Sequence, residues 1–104
     1  MTIKPLTLKW SRAARVDLRT IFRQIEGEST STDVAAAFIA DLDGKARSLA
    51  SSGFSGVSRS FIAPGLTAFP YRERCFYFRS YSGHLIVVRV LHARQDVTPE
   101  HFKE

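Results

Sequence analysis

The sequence predicts an α+β fold: a strand, an αα-hairpin, then a three-stranded antiparallel meander, with the helices packed on one face of the sheet. Three observations carry this. Between Tyr71 and Asp96 two apolar runs flank Ser82-Gly83, one rich in aromatics (Arg74 to Tyr81) and one in β-branched aliphatics (Leu85 to Leu91). These residue types fill a pleated, half-buried surface, and Ser-Gly tolerates the positive φ of a tight turn. Upstream, two stretches repeat apolar residues at helical rather than strand spacing. No internal repeat or linker interrupts the order strand, helix, helix, strands.

From Ile3 to Trp10, Leu6 and Leu8 alternate with Thr7 and Lys9, which marks a short first strand; Pro5 suits its beginning or an edge. Ser11 is placed to cap a helix. Ala14, Leu18, Ile21, Phe22 and Ile25 follow at offsets of four, seven, eight and eleven, one helical face. Gly27 to Ser31 reads as a turn, and Thr32 with Asp33 as the next N-cap. Ala35, Phe38, Leu42, Ala46 and Leu49 form the second apolar stripe, ending at Gly53. Ser51 to Pro64 has no periodicity and reads as a loop. Leu66, Ala68 and Phe69 make a short strand that leads through Pro70 into the hairpin, and the polar tail after Leu91 has Val97 and Phe102 as its anchors.

A length of 104 residues suits one domain over 1–104, and 44% hydrophobic with 12% aromatic residues argues against disorder. No apolar run is long enough to span a bilayer, and the amino terminus lacks a signal-peptide pattern, so no membrane partner and a cytoplasmic location are expected. The single cysteine, Cys75, has no Cys or His at metal-ligand spacing and reads as a core or edge-strand residue. No phosphate loop, nucleophile elbow, metal pair or acid dyad appears, so no metal and no cofactor are expected.

The formal charge of +5 and a pI near 9.9 suit an anionic partner. Arg12, Arg15, Arg19 and Arg23 fall on one face of the first helix, either as a clamp for an acidic partner or as a solvated face. Arg74, Arg79, Arg89 and Arg94 surround the hairpin; Arg79 and Arg89 must send their guanidinium groups to water, acids or phosphate. These eight arginines are the candidate partner-binding residues. His92 ends a strand beside Arg94 and Asp96. It could act as a general base, but a structural role, with His92 bonded to Asp96 and bracing the strand end, is the expected one. Trp10, where strand meets helix, is expected to be a packing residue.

The succession of a strand, a helix opening Ser11-Arg12-Ala13-Ala14-Arg15-Val16-Asp17-Leu18, an Ala-rich helix carrying Ala37-Phe38-Ile39, then Pro64-Gly65-Leu66, Phe78-Arg79 and Ile86-Val87-Val88-Arg89-Val90-Leu91-His92 with Asp96 four residues on, resembles the ParE branch of the RelE/ParE toxin superfamily. The resemblance covers nearly the whole chain. It implies the toxin of a type II toxin–antitoxin pair, which inhibits DNA gyrase by binding and leaves DNA breaks. It further implies a cognate ParD-like antitoxin whose acidic or amphipathic segment folds on the toxin, giving a hetero-oligomer.

The alternative within the superfamily is a RelE-like ribosome-dependent messenger-RNA endonuclease. Metal-free RNA cleavage needs a base for the 2′-hydroxyl, cations for the transition state and an acid for the leaving oxygen. Arg74, His92 and Arg94, with His101, are the residues that could be drafted. The carboxy-terminal tyrosine of many RNA-cleaving relatives is missing, Phe102 being the nearest aromatic, and a phenyl ring exchanges no proton. The expectation is therefore a binding inhibitor without catalytic residues; a non-toxic binding relative of the same fold is the third reading.

Overall fold

A computed structural model describes residues 4–53 and 56–103, so the expected start of the first strand at Ile3 lies outside the described residues. The elements are β1 (Thr7–Trp10), α1 (Arg12–Ser29), α2 (Thr32–Ser51), β2 (Val57–Ser58), β3 (Thr67–Tyr71), β4 (Arg74–Tyr81), β5 (His84–His92) and a terminal 3₁₀ turn, Pro99–Phe102. The fold class is the expected α+β. The sheet has five strands in the order β1-β5-β4-β3-β2.

β3, β4 and β5 form the antiparallel meander, while β1 pairs with β5 in parallel, from Thr7 opposite His84 to Trp10 opposite Val87. Parallel neighbours need a long crossover, and the whole segment from α1 to β4 supplies it.

Ser11 caps α1 as expected: its Oγ accepts the Ala14 N–H at 3.0 Å. The turn expected from Gly27 begins later. Helix α1 continues through Gly27 to Ser29 and ends at Thr30, whose φ of 54° is left-handed. One glycine in a last helical turn costs only about 1 kcal/mol, which two packed helices overcome. The second cap is Ser31 rather than Thr32, its Oγ accepting the Val34 N–H at 3.3 Å. Gly53, at φ 68°, turns the chain away after α2, with its N–H donating to the Ala50 carbonyl.

The expected loop over 51–64 contains an edge strand. Val57 and Ser58 pair with Ala68 and Thr67. Gly56 precedes them at φ +77°, where a Cβ would lie 3.0 Å from the Thr67 Cβ. Two residues in a Ser/Gly-rich stretch carry no period, so only tertiary contact reveals them. Leu66 is buried but precedes β3, and β3 runs through Pro70 to a two-residue turn at Arg72 and Glu73. β2 flanks β3 only at Thr67 and Ala68, so Pro70 sits where β3 is itself the sheet edge.

The helices pack on one face of the sheet, over Phe76, Phe78, Leu85, Val87 and Val90. Trp10 packs there edge-on to Phe76 at 6.5 Å between ring centroids. The other face is buried over its middle, where Cys75, Tyr77, Val88 and Leu91 lie under Ala63, Leu66 and Phe102, while Arg79 lies toward its open end. A bulge makes both cores possible. Tyr77 pairs with Arg89 and Phe78 with Val87, so Val88 is extra on β5. Val87 and Val90 then both enter the helix-side core, while Val88 and Leu91 enter the second.

Candidate functional site

The free edge of β5 fixes how α1 presents its arginines. β1 stops at Trp10, and α1 takes over its role with side chains. Ser11 donates its N–H to the Val87 carbonyl at 2.9 Å and its hydroxyl to the Val88 carbonyl at 2.7 Å. Asp17, nearly two turns further along α1, accepts the Val90 N–H at 2.9 Å. This docks one flank of α1 against the strand.

Arg12, Arg15, Arg19 and Arg23 are all exposed, Arg12 bordering a cleft with Asp17 and Arg89. Among the described residues none of them pairs with an acid; Arg15 Nη2 donates to the Trp10 carbonyl at 3.1 Å. Beside the stripe runs a groove of about 490 Å³ between α1 and α2, lined by Trp10, Leu18, Phe22, Ala36, Ile39 and Ala40, with Arg15 and Asp43 on its rim. Leu18 and Phe22 belong to the apolar face of α1, and the alanines of α2 leave the space open.

Arg89, also a partner-binding candidate, is committed within the chain. Its Nε and Nη2 each bond Asp17 at 2.8 Å, and its Nη1 donates to the His101 carbonyl at 3.0 Å. The side chains are only 23% and 12% exposed, and the carboxylate raises the guanidinium's already high pKa. Asp17 drew no notice in the sequence because it sits between arginines on a helix, where a carboxylate looks like ordinary surface.

The remaining hairpin arginines separate. Arg79 Nε donates to the Pro64 carbonyl at 3.4 Å. Arg74 and His92 are cross-strand neighbours bordering one cleft with Thr20, Gln24 and Gln95, whereas Arg94 does not line it. The expected His92–Asp96 bond is absent. His92 Nδ1 instead accepts the Arg94 N–H at 3.2 Å, in a tight turn closed by Gln95 N–H to His92 carbonyl, and Asp96 has no bonding partner among the described residues. His101 is tied to Thr98 and Gln95.

One cluster escaped sequence reasoning. Asp41 on α2 accepts Arg72 Nη1 at 2.6 Å and the Tyr71 hydroxyl at 2.9 Å. Arg72 and Arg74 lie over the Phe38 ring at 4.8 and 5.8 Å, and Lys45 lies over Phe69 and Tyr71 at 5.2 and 5.4 Å. The Arg72 guanidinium, then the Tyr71 hydroxyl, hold Asp41 below the usual carboxylate range; the same bond raises Tyr71. The two partners of Asp41 lie 30 and 31 residues from it in sequence, so no local pattern announces the cluster.

On the second face burial raises the Cys75 thiol and pushes Tyr77 up to about 12, so neither offers a nucleophile at neutral pH. Among the described residues no three His, Cys, Asp or Glu side chains are grouped to hold a metal. No helix among the described residues is long and apolar enough to cross a membrane.

This architecture is similar to a solved chain from the chromosomal ParDE toxin–antitoxin system of P. aeruginosa, with a TM-score of 0.70 and 19% sequence identity over 86% of this chain and 97% of that one. None of the curated proteins matches it significantly in sequence. The model of the ParE toxin of type II toxin–antitoxin systems matches residues 8–97, from β1 to the turn beyond β5. The chain therefore belongs to the ParE toxin family of type II toxin–antitoxin systems.

Proposed function

We propose that this toxin arrests growth by binding DNA gyrase, and that a ParD-like antitoxin neutralises it by laying an acidic amphipathic segment on α1. The observation that carries the antitoxin contact is the row of four arginines, without an acid partner among the described residues, beside an apolar groove. An amphipathic helix would put apolar side chains between Leu18, Phe22 and Ile39 and carboxylates against the arginines. Action on gyrase places the protein in the cytoplasm. Family membership supports the inhibitory mode, and Phe102, the nearest aromatic to the carboxy terminus, is a buried hydrocarbon ring that exchanges no proton.

A supercoiling assay with purified gyrase is the direct test. Inhibition with trapped, cleaved DNA at micromolar toxin is the expected result, and unaffected supercoiling would refute the target.

One observation favours the ribonuclease reading, the cross-strand pairing of Arg74 with His92 in a cleft. Cleavage of messenger RNA on translating ribosomes, lost on His92→Ala, would replace the gyrase reading with that one. Unimpaired growth on expression without antitoxin would instead favour a non-toxic relative.

A further inference from the structure

The most exposed large apolar side chain among those described is Phe61, at 80%, followed by Tyr81 at 74%. Neither ring serves the fold. Phe61 nevertheless rides on a tightly bonded turn. The Arg59 N–H donates to the Leu66 carbonyl at 2.7 Å, the Ile62 N–H to the Arg59 carbonyl at 2.9 Å and the Leu66 N–H to the Ala63 carbonyl at 3.1 Å. The residues after it, Ile62 and Ala63, are anchored in the second core with Leu66. The ring is thus held outward by a backbone that has little freedom left to lose on binding.

Tyr81 lies on the same side of the sheet. Side chains alternate along β4, so Cys75, Tyr77, Arg79 and Tyr81 share the face that the 59–66 loop covers. Arg79 ties the loop to the strand through the Pro64 carbonyl. The outer end of this face therefore carries two solvent-facing aromatics, with Arg59 and Arg79 between the loop and the strand.

Its charge is one-sided. From Gly44 to Gln95 the sequence holds a single acidic residue, Glu73, and that lies at the opposite end of β4 from Tyr81. Neither Arg59 nor Arg79 has an acid partner among the described residues. Exposed aromatics flanked by arginine are the composition that dominates protein interfaces energetically. Two flanking cations are few for a nucleic-acid contact, where neutralised phosphates supply most of the affinity.

We propose that Phe61 and Tyr81 are the anchors by which the toxin seizes its protein target, and that the target presents an apolar pocket with an acidic rim. This rests on the reading that the chain acts by binding, and assigns target and antitoxin to different faces: the loop side of the sheet and the α1 groove.

The experiment compares wild type, F61A, Y81A, F61A/Y81A and F61L for growth arrest on expression, inhibition of purified gyrase, antitoxin affinity and unfolding midpoint. The double variant should lose roughly tenfold or more in inhibitory potency, as expected for hot-spot residues, and fail to arrest growth. F61L should keep most of the potency, and all variants should keep wild-type antitoxin affinity and unfolding midpoint. A double variant as toxic as wild type overturns the assignment, as does a loss of toxicity that tracks a fall in unfolding midpoint across the series. Loss of DNA-duplex affinity in step with toxicity would give the patch to nucleic acid and overturn the protein assignment. If wild type inhibits gyrase and the double variant inhibits it equally, the gyrase reading stands and the patch falls. If wild type arrests growth while sparing gyrase, the gyrase reading falls and the growth assay of the double variant decides the patch.

Discussion

Arg89 on β5 and Asp17 on α1 meet through two parallel bonds of 2.8 Å, and the same carboxylate receives the Val90 amide. The pair closes a gap left by topology. β1 is too short to cover β5 beyond Trp10, so the amide next to the bulge would otherwise face an open edge. A charge-assisted fork that also caps backbone is among the stronger polar arrangements available to a half-buried site.

Removing one member leaves the other charge half-buried and unpaired. Asp17→Ala should destabilise the protein by about 3 kcal/mol, with Arg89→Ala similar and the double substitution costing less than the sum. Urea denaturation of the four species measures this. Additive losses would mean that the pair contributes nothing beyond its separate contacts.

The α1 stripe makes a prediction of a different kind, because its exposed arginines pair with no acid among the described residues and only Arg15 bonds the rest of the fold, through one exposed contact to the Trp10 carbonyl. Arg15→Glu with Arg19→Glu should leave the unfolding midpoint within about 0.5 kcal/mol of wild type, as exposed substitutions do. Antitoxin binding should weaken, and the residual affinity should respond less to salt, since the screened attraction has been removed. Titration at two ionic strengths reads both effects; unchanged affinity would move the contact to the sheet arginines.

The hairpin, both helices and their apolar stripes were legible because each repeats a local period: Phe76 and Phe78 alternate, and Leu42, Ala46 and Leu49 recur each turn. The resemblance to ParE carried the functional class. What escaped is everything set by distant pairs. Val57–Ser58 becomes a strand only against Thr67 and Ala68, β1 runs parallel because of where the crossover returns it, and Arg89 is occupied by a residue 72 positions away. Phe61 had no period to betray it and stands out only once its exposure is known.

Asp41 gives the acid limb of the stability profile a defined sign. Its folded pKa lies below the ordinary carboxylate value of about 3.9, so its contribution is complete above that pH and is lost as pH falls through the folded value. Asp41→Asn should therefore be destabilising at pH 7 and approach wild type on acidification toward pH 2. Denaturation midpoints across that range test it. A difference constant with pH would show that Arg72 and Tyr71 gain nothing from the charge.

The alkaline limb belongs to Tyr77, whose ring packs under the terminal turn; its pKa is pushed up to about 12 chiefly by desolvation. A folded pKa above the unfolded value, about 10, contributes stability that is full below pH 10 and is lost as pH rises toward 12. Phe102 does much of the covering, its ring 5.1 Å from that of Tyr77 and only 6% exposed. Phe102→Ala should cost about 3 kcal/mol, as large-to-small core substitutions do. By admitting water to the phenol it should also bring the slowest-rising phenolate absorbance down toward pH 10. Tyr77→Phe should abolish that late transition and keep the chain folded to higher pH. An unshifted transition in Phe102→Ala would mean that Ala63 and Leu66, rather than the terminal turn, exclude water from this face.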